Sequence, residues 1–297
     1  MRNNISKSKM AVLVAFALAM AGASGASLAG PIVTAWDYEN DAIFSAATFT
    51  EKPEIPAFPG IRGTQLHTDY ELSWGTDGGI FVLGGNRSAV TIGSGTAGTV
   101  TGGGPAMGSV DTVFGAGPPT ASEIGIGINM SHWNNPISVL YDELLSGTLR
   151  DTLTLTPTAG GPSADLSPLE FNFVFLETTN LGVVCPGGTA NPCGDLFGIV
   201  GIPNLNPVFE YDGHDYLANI FITDRMGGTA PITPLLDGEC DALGLGHGCQ
   251  GWLTAESAIT TVQFGFTINA VPEPASLALF GLGLFGLGYG RYKTRAA

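Results

Sequence analysis

The chain has 297 residues, with 26 acidic against 11 basic side chains and a formal charge of −15; it carries 44 glycines, 19 prolines and only four cysteines. A surface of that sign repels phosphate backbones, which argues against any nucleic-acid partner. Three of the basic residues (Arg2, Lys7, Lys9) and three more (Arg291, Lys293, Arg295) sit at the two ends, while Glu273 is the one acid there, so residues 30–270 carry 5 − 25 = −20.

At the N-terminus the basic residues precede the apolar run Ala11–Met20, and small residues follow from Ala21 to Gly30. That order is the n-, h- and c-region of a secretory signal peptide, here residues 1–29, with signal peptidase cutting after Ala26 or Ala29. The exported body, residues 30–270, has scattered Gly and Pro and few helix-period runs, so its elements are predicted as strands. Thr50–Gly63, with Pro53, Pro56 and Pro59, reads as a surface loop. Leu66–Trp74 reads as one alternating strand with Leu66, Tyr70, Leu72 and Trp74 on one face. Gly84–Gly108, dense in Gly, Ser and Thr, reads as a flexible loop or a weak Gly-rich hairpin. Thr152–Thr156, Phe171–Glu177 and Val262–Ile268 are further alternating segments. Short strands separated by turn residues predict an all-β fold, a β-sandwich of the jelly-roll or immunoglobulin-like kind, in one domain or two.

One internal segment stands apart: Asn129-Met130-Ser131-His132-Trp133-Asn134-Asn135-Pro136-Ile137. Asn134 and Asn135 before a proline suit a turn, which His132 can fix and Trp133 can anchor. The alternative is a carbohydrate-facing platform, with Trp133 stacked on a sugar and the polar side chains on its hydroxyls. Searches for catalytic motifs find no nucleophile elbow, no His-Glu-x-x-His and no phosphate loop, so no catalytic residue is assigned. The carboxylates of Asp212-Gly213-His214-Asp215 and of Asp237-Gly238-Glu239-Cys240-Asp241 could take Ca²⁺ through oxygen, although neither has EF-hand spacing. The four cysteines in an exported chain predict disulfides. Three pairings are open, the simplest being Cys185–Cys193 with Cys240–Cys249; the spacings are poor for zinc.

The last 27 residues, 271–297, open with Pro272-Glu273-Pro274 and run uncharged from Ala275 to Gly290 before the basic cluster. Sixteen residues give roughly 24 Å of helix, a little under the ~30 Å hydrocarbon core. Interfacial Tyr and snorkelling Arg or Lys cover the difference, which predicts a single membrane-spanning helix with its basic end in the cytoplasm. The Gly281–Gly286 match to a dinucleotide fingerprint has no strand before it and is discounted.

This tail resembles the PEP-CTERM sorting signal of exopolysaccharide-producing Gram-negative bacteria, through Pro272, Glu273, Pro274, the Gly/Leu-rich span and Arg291. The resemblance implies recognition and processing by an exosortase, a transient inner-membrane anchor, and delivery to the cell surface or extracellular matrix. Ser131-His132-Trp133-Asn134 resembles the signature of the THxN group of PEP-CTERM proteins, with Ser in place of Thr. Asp195-Leu196-Phe197 and Gly251–Glu256 resemble later blocks of the same group. No enzymatic activity is implied by that likeness. The expectation is a non-enzymatic structural or adhesive protein of a biofilm matrix, with exopolysaccharide as a partner; the alternative is a secreted carbohydrate-binding or carbohydrate-active enzyme.

Overall fold

The computed structural model describes residues 30–53, 63–75, 87–93, 103–178, 185, 193–201, 205–223 and 232–272. The expected signal peptide, Glu273, Pro274, the apolar run from Ala275 to Gly290 and Arg291 lie outside these residues. Among the described residues no helix is long and apolar enough to cross a membrane.

Among the described residues the strands are β1 (Ala35–Phe49), β2 (Leu66–His67), β3 (Glu71–Gly75), β4 (Arg87–Gly93), β5 (Ala106–Val113), β6 (Gly125–Asn134), β7 (Leu144–Pro157), β8 (Ala164–Asp165), β9 (Leu169–Leu176), β10 (Asp195–Val200), β11 (Val208–Tyr211), β12 (His214–Thr223), β13 (Thr233–Pro234), β14 (Gln250–Thr254) and β15 (Ala258–Ala270); a short 3₁₀ turn (Ala121–Glu123) precedes β6 and a helix, α1 (Asp237–Ala242), precedes β14. The chain is therefore all-β. The strands form a single open sheet in the order β13-β14-β10-β9-β7-β1-β5-β15-β6-β4-β3-β2. It is continuous because β5 pairs antiparallel with β1 and, over two residues, parallel with β15.

Strand periodicity accounts for the core. In β1 every second residue, Trp36, Tyr38, Asn40, Ala42 and Phe44, turns inward, and β7 beside it buries Leu149, Asp151, Leu153 and Leu155 in the same rhythm. The two arms of the sheet face each other across these side chains. Trp74 of β3 meets Phe175 of β9 (ring centroids 5.1 Å apart), His132 of β6 meets Phe197 of β10 (5.1 Å), and Phe171 of β9 meets Phe264 of β15 (5.6 Å). Residues Val33–Phe209 and Tyr216–Pro272 make one compact unit. Separately, Gly30 bonds Asp212, its N–H donating to the Asp212 carbonyl at 3.0 Å, and its own carbonyl lies 2.6 Å from His214 Nε2.

Two local readings need correction. Leu66–Trp74 is not one strand but the tight hairpin β2–β3, with Leu66 opposite Ser73 and His67 opposite Leu72. Thr68 makes the turn: its hydroxyl accepts from the N–H groups of Tyr70 and Glu71, and its own N–H donates to the Glu71 carbonyl. Leu66 is consequently exposed while Ser73 is buried. Gly84–Gly108 is not wholly a loop: Arg87–Gly93 is the buried strand β4, paired on both sides by β3 and β6. Small side chains suit a strand covered on both faces. Residues 94–102, the most Gly-rich part, lie outside the described residues, as do 54–62 of the expected proline-rich loop.

Candidate functional site

The Ser131–Asn134 segment leads into the expected turn at Asn134-Asn135-Pro136. It is the C-terminal end of β6, with Ser131, His132 and Asn134 buried and Trp133 half-buried. The strand pairs with β4 (Val90 opposite His132) and with β15 (Ala258 opposite Asn134) and ends at Asn134, so Asn135 and Pro136 fall just beyond the ladder, where the asparagine pair is expected to turn the chain. Ser131 shares a hydrogen bond of 2.9 Å with Thr261, and Trp133 donates its indole N–H to Thr91 Oγ1 at 3.2 Å. Asn135, next along, donates to the Arg87 carbonyl at 2.7 Å.

His132 sits in an aromatic box. Trp74 stacks on it at 5.8 Å and 14°, while Phe175 and Phe197 meet it edge-on. Its Nδ1 lies 2.8 Å from Thr254 Oγ1, and that hydroxyl donates onward to the Asp195 carbonyl at 3.4 Å. Because Thr254 has one proton to give, His132 Nδ1 carries the N–H, which leaves Nε2 an unprotonated acceptor. Nε2 is buried and has no partner among the described residues. Burial pushes the imidazole pKa down to about 3, so the ring is neutral at physiological pH.

Beside this box the fold assembles a group the sequence reading did not single out. Glu177 follows β9 directly, Asp195 opens β10, and Glu256 lies in the short connection from β14 to β15. One oxygen from each can be chosen so that all three lie within 4.8 Å of one another. Register explains the convergence. Asp195 pairs with Thr254, two residues before Glu256, and Asn134 pairs with Ala258, two residues after it. Ser257, at φ +55°, makes the bend that holds Glu256 between those two ladders. Gly194 has no room for a side chain, since a Cβ there would come 2.8 Å from the Thr254 carbonyl.

Each member is fixed by one atom. Trp74 donates its indole N–H to Glu177 Oε2 at 3.2 Å, and Thr178 donates its N–H to Asp195 Oδ1 at 2.8 Å. Asn134 donates to the Thr254 carbonyl at 3.4 Å, and its amide also bonds the Glu256 carboxylate. The other atoms, Glu177 Oε1, Asp195 Oδ2 and Asn134 Oδ1, are buried without a partner among the described residues. Burial, followed by the Asp195 charge, holds Glu177 well above the usual carboxylate range. Burial pushes Asp195 up to about 8 against the Thr178 hydrogen bond, with Glu256 and Glu143 adding repulsion, and burial raises Glu256 as well.

The disulfides Cys185–Cys193 and Cys240–Cys249 both form, and no described cysteine is free. The first closes the segment between Glu177 and Asp195, where Thr178 Oγ1 also donates to the Cys193 carbonyl at 2.9 Å. The two carboxylate runs named from sequence do other work. Asp212 and Gly213 form the turn between β11 and β12. Glu239 accepts from the Leu236 N–H at the start of α1, while Asp237 and Asp241 flank the exposed His247.

Of the sorting residues, Pro272 is described and exposed, directly after β15. Residues 270–293 match the PEP-CTERM protein-sorting motif. That motif marks an exported, cell-envelope-associated protein processed by an exosortase. No curated protein matches the chain.

Proposed function

We propose that this is a non-enzymatic surface or extracellular-matrix protein of an exopolysaccharide-producing Gram-negative bacterium, structural or adhesive in the biofilm matrix and akin to the THxN group. The observation that carries the reading is the sorting motif at residues 270–293, which begins where the last core strand ends. Residues 1–29 act as the signal peptide. The apolar run after Pro274 serves as a transient inner-membrane anchor until the exosortase removes it. The facing arms of the sheet support the reading of the body as a sandwich-type ectodomain, and its two short-range disulfides suit an oxidising compartment.

Intact-mass analysis of protein released from a producing cell tests the sorting. The expected mass lacks residues 1–29 and the apolar span 275–290; a released form that retains the span overturns it. Retention of the released protein on its own matrix polysaccharide, without change in the polymer's length, tests the adhesive role.

A carbohydrate-active enzyme is the second reading, favoured by Glu177, Asp195 and Glu256 sharing one site. Against it, Asp195 is 0% exposed. Release of reducing ends from the polymer, abolished by Glu256→Gln, would establish that reading in place of the first.

A further inference from the structure

We propose that Glu177, Asp195, Glu256 and Asn134 form a Ca²⁺ site between the two arms of the sheet. The cluster of acids alone does not carry this; the unpartnered atoms do. Asn134 is 1% exposed, yet its Oδ1 has no partner among the described residues while its amide lies against Glu256. Asp195 Oδ2 and Glu177 Oε1 are in the same condition. A buried oxygen without a donor is costly, and here three of them belong to side chains whose other atom is already tied to Trp74, Thr178 or Thr254. Such ties orient ligands for a cation, as outer hydrogen bonds do around bound metals.

The chemistry selects the ion. All the donors are oxygen, which suits a hard cation and not zinc or copper. The carboxylate oxygens lie within 4.8 Å of one another, close enough to share one ion at the roughly 2.3–2.6 Å bonds of Ca²⁺. Mg²⁺ keeps several of its waters and is seldom held by an all-protein cage, so Ca²⁺ is the better match for ligands drawn from four parts of the fold. Because the ligands come from β6, the end of β9, the start of β10 and the β14–β15 connection, the ion would clamp both arms of the sheet. Asp212–Asp215 and Asp237–Asp241, the runs visible in sequence, would not take part.

The test uses the purified full chain freed of metal with chelator. Trp74, bonded directly to Glu177, makes Tb³⁺ a suitable probe: excitation of the indole should sensitise Tb³⁺ emission, and Ca²⁺ should displace it at lower concentration than Mg²⁺. Added Ca²⁺ should also raise the melting temperature by several degrees. Asp195→Asn should lose the Tb³⁺ signal and weaken Ca²⁺ binding at least tenfold. In chelator, Asp195→Asn should melt at or above the unsubstituted protein, because an ionisable group crowded by Glu177 and Glu256 has gone while the Oδ1 acceptor for Thr178 stays, which shows that lost binding is not lost folding. Asp237→Asn should bind as before. Absence of sensitised emission from the unsubstituted chain, or a response to Ca²⁺ that Asp195→Asn retains, overturns the site.

Discussion

Trp74 and Glu177, 103 residues apart, are joined by an indole N–H to carboxylate hydrogen bond of 3.2 Å, and the same indole lies parallel to the His132 ring. One aromatic ring therefore couples the carboxylate group to the core. Trp74→Phe keeps most of the packing and removes the donor. The expected loss is about 1–3 kcal/mol by urea denaturation, the usual cost of stranding a buried acceptor. Unchanged stability would mean that Glu177 has another partner.

The second prediction concerns acid. His132 titrates at about 3 in the folded chain, well below the 6.5 of an exposed imidazole. The native state therefore favours the neutral ring: its contribution is complete above pH 6.5 and is lost as pH falls from 6.5 towards 3. The slope is about 1.4 kcal/mol per pH unit, so roughly 3 kcal/mol should go between pH 6.5 and 4.5. Glu177, Asp195 and Glu256, raised by burial, oppose this by gaining protons more readily when folded. Comparison with His132→Phe isolates the imidazole, since the ring still fills the aromatic box. The variant should lose less stability on acidification than the native chain; parallel pH profiles would contradict the buried neutral histidine.

Asp151 carries the opposite sign. Burial pushes its carboxyl up to about 7 despite the 2.6 Å bond from Asn40 Nδ2, and the nearby Asp41 charge adds to the rise. The folded chain holds this proton more tightly than the unfolded one, so stability from this group falls as pH climbs from about 4 to 7 and is level above that. Asp151→Asn keeps the Oδ1 acceptor for Asn40 and removes the charge. It should gain up to a few kcal/mol at pH 8 relative to the native chain and little at pH 4. Equal effects at both pH values would show that Asp151 is not the titrating group.

How far the sequence was legible follows from which features are local. The alternation in Thr152–Thr156 and Phe171–Glu177 reports strands, because burial on one face of a strand has period two. The two disulfides span short separations of 8 and 9 residues, within reach of local reasoning. The carboxylate group was not legible as a site. Glu177, Asp195 and Glu256 come from three elements, and the pairings of Leu176 with Leu196, of Asp195 with Thr254 and of Asn134 with Ala258 bring them together. Asn134, Asp195 and Glu256 each lie in a block that carries the THxN resemblance, which is the available signal; nothing in their spacing shows that the blocks meet. In the same way, the local chemistry around Asn134-Asn135-Pro136 does not show that Ser131 to Asn134 is paired into the sheet.

The disulfides give a further test. Cys240 is fully buried beside Leu235, and Cys185–Cys193 closes the segment leading to Asp195. Replacing either pair by serine should cost about 2–3 kcal/mol in the chain-entropy account. Only loss of Cys185–Cys193 should also disturb Asp195, which is read from the melting profile between pH 6 and 9. Identical pH profiles for the two double variants would separate that disulfide from the carboxylate group.

The last prediction addresses Trp133. His132 and Asn134 are buried and cannot reach a polysaccharide, so a sugar platform at this segment would have to rest on Trp133, which is half-buried. Its indole N–H is already committed to Thr91 Oγ1 at 3.2 Å, on the neighbouring strand β4. That bond ties two central strands together, which is a structural role. Trp133→Ala should therefore lower the melting temperature, with a stability loss of about 2–4 kcal/mol from lost packing and an unpartnered threonine. Retention on matrix polysaccharide should fall only as far as the folded fraction does. Trp133→Phe, which keeps the ring and drops the donor, should recover most of the stability. Intact melting with lost retention in Trp133→Ala would instead make this strand end a glycan-binding surface.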